Sequence, residues 1–187
     1  MSVVAGRRAN TGELLVALGV ALALRLVVGG TVGAALFAVV LLAASAGAGW
    51  RPRRPAVIGL AWGVAGAIGL VAGPAVLHVT GPHPLFHPSA AGFPLWAVVV
   101  TAVAVAEEAL LRGVLFNAVE EVHGVPTALV VTTIAFAVLH VPLYGMGALP
   151  LDLAVGLWLG GLRVVTGGVI APATAHVLAD LAGWWLW

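Results

Sequence analysis

The stretch Ala104 to Asn117, AVAEEALLRGVLFN, puts two carboxylates and an arginine inside otherwise apolar sequence. A charged side chain at the centre of a bilayer costs at least about 2.5 to 3.5 kcal/mol, so such charges face a bundle interior or a water-filled cavity and tend to be functional. Glu108 and Arg112 are four residues apart and share a helix face. Glu107 lies about 100° around the helix and is a poor intrahelical partner for Arg112. One acid is therefore neutralised locally. The other, without a cation in a poorly solvated place, suits a general base that takes a proton from water near neutral pH. From this stretch alone, a structural ion network holding helices together explains the three charges equally well.

Two further stretches shift the balance toward chemistry. FAVLH, Phe136 to His140, carries a histidine deep in an apolar run, and HVLAD, His176 to Asp180, carries a histidine and an acid one turn apart in another. A lone buried histidine is more often a packing residue than a catalyst. Three separate apolar helices each carry imidazole or carboxylate groups near mid-depth, and each insertion penalty is most easily offset if the groups meet. A glutamate, two histidines and an aspartate converging in a partly hydrated cavity can activate water for hydrolysis, directly or on a metal.

These residues need lipid-embedded rods to position them. The 187-residue chain is 62% hydrophobic and 8% charged, against about 25% charged in ordinary soluble domains, and its mean hydropathy is +1.15. The expected fold is all-α: a polytopic bundle of about seven transmembrane helices. The spans read from about Glu13 to Val28, Thr31 to Trp50, Ala56 to Leu77, Pro94 to Val122, Pro126 to Val141, Pro150 to Thr166 and Gly168 to Trp187. The first two form a hairpin at Gly29-Gly30; Arg25 and Glu13 argue against a cleavable signal peptide. The fourth is long enough to protrude from the bilayer, and Gly124 ends it.

Arg7, Arg8, Arg51, Arg53, Arg54 and Arg163 fall on one side, which the positive-inside rule makes cytoplasmic along with the N-terminus. The inner (plasma) membrane is the expected location. Residues 1–93 hold the first helices and a loop rich in proline and histidine, and residues 94–187 carry the charged motifs, all within one membrane domain. A net charge of +1, with no lysine, offers no basic stripe for nucleic acid. Cysteine is absent, which removes thiolate chemistry and disulfides.

Taken together, the motifs resemble those of the CPBP (Abi) intramembrane proteases, which include the type II CAAX prenyl endopeptidases. Their EExxxR, FxxxH and HxxxN/D patterns read here as Glu107-Glu108 to Arg112, Phe136 to His140 and His176 to Asp180. The resemblance covers about Leu95 to Gly183. It implies that Glu107, helped by His140, activates the water that attacks a peptide bond within the membrane. Glu108, Arg112 and Phe136 would support the site, and His176 with position 180 would bind the oxyanion or complete it. Where relatives carry Asn, an amide can donate to the oxyanion; ionised Asp180 only accepts, so it must be protonated, orient His176 or bind a metal. Glu107, His140, His176 and Asp180 form a nitrogen and oxygen set suited to zinc, and zinc and no metal both stay open. The implied partners are membrane lipids and a membrane-associated peptide or protein, prenylated in the best-known relatives.

Other charges carry less. Glu120 and Glu121 are simplest as solvated residues, Asp152 complements a helix dipole, and His78, His83 and His87 lie in the proline-rich loop. Arg25 either snorkels or pairs with an acid. The expected function is an intramembrane endopeptidase; a proton-coupled carrier using the same buried groups, and a catalytically silent binding relative, are the alternatives.

Overall fold

A computed structural model describes residues 10–51, 56–76 and 92–186, with the side chains of residues 74–76 and 186 outside the description. Arg7, Arg8, Arg53, Arg54 and the three loop histidines lie outside the described residues. Helix α1, Thr11–Val28, opens on Asn10, whose side-chain oxygen accepts from the Gly12 N–H at 2.9 Å. Glu13 in its first turn and Arg25 in its last complement the macrodipole. Gly29, at φ 69°, ends α1 with its N–H on the Arg25 carbonyl, and α2, Gly30–Gly47, begins at once. The hairpin expected from the Gly-Gly pair therefore forms.

Helix α3, Val57–Val76, follows, and then α4, Gly92–Glu108, with Pro94 in its first turn. Helix α4 continues without a break through a π-helical segment, Ala109–Leu115, into α5, Phe116–Tyr144. Gly124 reverses the chain inside α5: at φ 79° and ψ 170° it is not helical, and only a residue without Cβ takes that conformation cheaply. The rod expected to end at Gly124 does end there. Helices α6, Leu149–Thr166, and α7, Ile170–Leu186, complete the described chain, so a helix stands at each position where the sequence calls for a span. The fifth runs beyond its expected end at Val141 to Tyr144, with Pro142 inside its last turn.

The exterior is apolar. Val27 and Val57 are more than four-fifths exposed, as are, in smaller part, Val16, Ile58, Val98 and Val122. Such a surface would drive aggregation in water and is what lipid requires. Among the described residues, four stretches are long and apolar enough to cross a membrane: Thr11–Val28, Gly30–Gly47, Gly92–Tyr144, which Gly124 divides, and Met146–Thr166.

Inside, every residue from Val103 to Phe116 is buried except half-buried Val105, and the segment after Glu107 packs against α2, α4 and α5. Helix α2 packs on α4, α4 on α7, and α5 on α6, while α3 lies against α7 and α6. Glycine makes the last contact close. A Cβ on Gly66 would meet Leu162 Cδ1 at 2.6 Å, and Trp158 donates its indole N–H to the Gly66 carbonyl at 3.1 Å. At one end of the bundle Phe93 and Trp96 of α4 stack with Trp184 and Trp185 of α7, an aromatic group of the kind that sits at a membrane interface.

Candidate active site

Arg112 is the anchor of the polar cluster. It is wholly buried, with one guanidinium nitrogen donating to Glu108 Oε1 at 3.0 Å and the other to the Gly156 carbonyl at 3.1 Å. Its face lies over the Phe136 ring, 4.7 Å from the centroid. The expected pairing of Glu108 with Arg112 is present, and Gly156 allows it: a Cβ there would press on the Thr133 backbone at 3.2 Å.

The π-helical segment begins one residue after Glu108. Widening a helix to i→i+5 bonds disturbs the carbonyl ladder. Arg163 of α6 answers part of that need, donating from Nε to the Arg112 carbonyl at 3.0 Å and from a terminal nitrogen to the Asn117 side chain at 2.8 Å. Gly113 completes the fit, since a Cβ there would meet the Trp50 ring at 2.8 Å. Glu120, expected to be solvated, reaches the same arginine at 3.9 Å and is half-buried.

His176 of α7 joins the two glutamates. Its Nδ1 lies 3.1 Å from Glu108 Oε1. That oxygen already accepts from Arg112, so Nδ1 carries the proton and donates. The other nitrogen, Nε2, faces Glu107 Oε2 at 3.9 Å and Asp180 Oδ2 at 3.6 Å. Both distances exceed a direct hydrogen bond, so the contacts act through charge. Glu107 itself is 1% exposed.

His140 enters from α5 with its ring 4.3 Å from that of Phe136, and Phe136 stands edge-on to His176 at 5.7 Å. Its Nδ1 lies 2.8 Å from the Phe136 carbonyl, which only accepts, so Nδ1 donates and Nε2 is left as the basic nitrogen. Asp152, His176 and Asp180 are within electrostatic reach of the ring. Phe136 is thus the hub that touches Arg112 and both imidazoles. The imidazole that directly meets Glu107 is His176.

One premise of the sequence reading is corrected. Glu107 does not lack a cation: Arg25 of α1 brings a guanidinium nitrogen to 3.9 Å from Glu107 Oε1. Helical spacing finds partners on one rod and is blind to a rod 82 residues away in sequence. With Arg25 included, three carboxyl groups face two guanidiniums and an imidazole, and the buried cluster can balance its charge. Among the described residues no three His, Asp or Glu side chains converge as a metal-binding group. His176 turns both nitrogens toward carboxylates, and an arginine occupies one side of Glu107. Asp152 lies in the first turn of α6, where it complements the helix dipole as expected, and it is buried within electrostatic reach of His140.

Fold and site together define an integral membrane helix bundle with a buried polar site built from glutamate, histidine and arginine. A family model described as type II CAAX prenyl endopeptidase Rce1-like matches residues 89–182, half of the chain. The chain belongs to this family of membrane-embedded endopeptidases, which act on peptide or protein substrates. No curated protein and no solved structure matched it.

Proposed function

We propose that this chain hydrolyses a peptide bond within the membrane, with Glu107 as the general base. The observation that carries the reading is the meeting of Glu107 with His176 Nε2 at 3.9 Å inside the bundle, where Glu107 is shielded from bulk solvent. Water bound to the Glu107 carboxylate beside His176 gives it a proton, and the resulting hydroxide oxygen attacks the scissile carbonyl. Glu107 then passes the proton to the leaving nitrogen as the C–N bond breaks.

Glu108 and Arg112 hold His176 in one tautomer and orientation. Asp180, a carboxylate beside Nε2, orients the same ring and does not itself donate to the oxyanion. His140 offers Nε2 from across Phe136 and assists in handling the water proton. No step is routed through a metal. Residues 94–187 form the catalytic half. The substrate is a membrane-associated peptide or protein, with a prenylated CAAX-type segment as the first class to test, and the N-terminus lies in the cytoplasm of the plasma (inner) membrane.

The test is cleavage of a membrane peptide library by purified protein, wild type beside Glu107→Gln. Removing a general base costs on the order of 10²- to 10⁴-fold in rate. Cleavage that survives the substitution removes Glu107 from this role. Proton-coupled uptake in liposomes without cleavage would instead support a carrier.

A further inference from the structure

We propose that Arg25 is a positioning residue for Glu107: the N-terminal hairpin supplies the cation that holds the candidate base in its working orientation. The inference rests on the hydrolytic reading above and extends the site beyond the segment matched to the family, residues 89–182. Glu107 is held from two sides, Oε1 facing Arg25 and Oε2 facing His176, each at 3.9 Å. Two positive or polar partners on different oxygens bias the orientation of a carboxylate more than one does.

The nearest alternative cation is already committed. Arg112 spends its terminal nitrogens on Glu108 and the Gly156 carbonyl and its face on Phe136. Arg25, by contrast, is built into place by its own hairpin. Gly33 of α2 sits so close to α1 that a Cβ there would meet the Arg25 carbonyl at 2.7 Å. One turn further, the buried Phe37 ring supports the guanidinium, 5.1 Å from its centroid. The side chain keeps 20% of its surface exposed, so it lies at the margin of the cluster and reaches in. At 3.9 Å the contact acts through charge more than through a directed hydrogen bond, and another cation of similar reach can replace it in part.

The experiment measures kcat and KM for peptide cleavage by wild type, Arg25→Gln and Arg25→Lys, with thermal unfolding of each. Arg25→Gln is expected to lower kcat by about 10- to 100-fold, the cost of a misplaced catalytic group, with KM changed less than about twofold. Arg25→Lys is expected to regain most of that loss. A rise in KM at constant kcat would make Arg25 a substrate contact and overturn the proposal, as would equal losses in the two variants. A double-mutant cycle of Arg25→Gln with Glu107→Gln, read by thermal unfolding, tests the pairing without activity. Non-additive effects are expected, and strict additivity overturns the pairing. Wild type that cleaves nothing defeats the hydrolytic reading, a result distinct from every failure of the Arg25 pairing.

Discussion

Removing the Arg112 guanidinium strands Glu108, whose Oε1 then loses its cation deep in the bundle. Arg112→Ala is expected to destabilise the protein by about 3 to 5 kcal/mol, the usual cost of breaking a buried pair from one side, measured by thermal or denaturant unfolding in detergent. Replacing both partners with apolar residues, Glu108→Leu with Arg112→Met, is expected to restore much of the stability while cleavage stays lost, because His176 has then lost the acceptor that holds Nδ1. Asp180 gives a milder test. Its oxygen lies 3.6 Å from Nε2, and the ring keeps its Glu108 anchor without it. Asp180→Asn is expected to cost about tenfold or less in kcat, the lower end for an orienting partner, and His176→Ala far more. Equal losses in the two would mean that Asp180 acts on substrate or water directly.

Helix ends were largely legible in the sequence, and the reason is local. Gly29 and Gly124 break rods because their backbone conformations disfavour side chains, and Pro94 sits in the first turn of α4, where its missing N–H needs no partner. The π-helical segment 109–115 was not legible. Apart from Gly113 its residues are compatible with an ordinary α-helix; what stabilises the wide turn is Arg163, 51 residues after Arg112, together with the fit of Gly113 under Trp50. Gly113→Ala, which puts a methyl 2.8 Å from a rigid indole, is therefore expected to cost about 1 to 3 kcal/mol by overpacking. A second change, Trp50→Leu, is expected to recover part of it, and thermal unfolding of the single and double variants checks both.

At the scale of the whole molecule, the polar cluster is shared among α1, the rod formed by α4 and α5, and α7, while α6 adds the Gly156 carbonyl that accepts from Arg112 and the Arg163 that ties the rod. Since no three His, Asp or Glu side chains converge as a metal group among the described residues, cleavage is expected to survive exhaustive chelation; loss on chelation that zinc alone restores would reverse that. Composition was sufficient to determine the lipid solvent, because 8% charge in a 187-residue chain leaves too little polar surface for water. Spacing of three and four residues was sufficient to pair Glu108 with Arg112 and to put His176 and Asp180 on one face, since those contacts lie within a turn of one rod. Tertiary structure alone decided that Glu107 meets His176, that His140 stands behind Phe136, and that Arg25 answers Glu107. Those partners come from rods whose rotation and depth are set by packing between helices, a quantity that periodicity along a single helix does not contain.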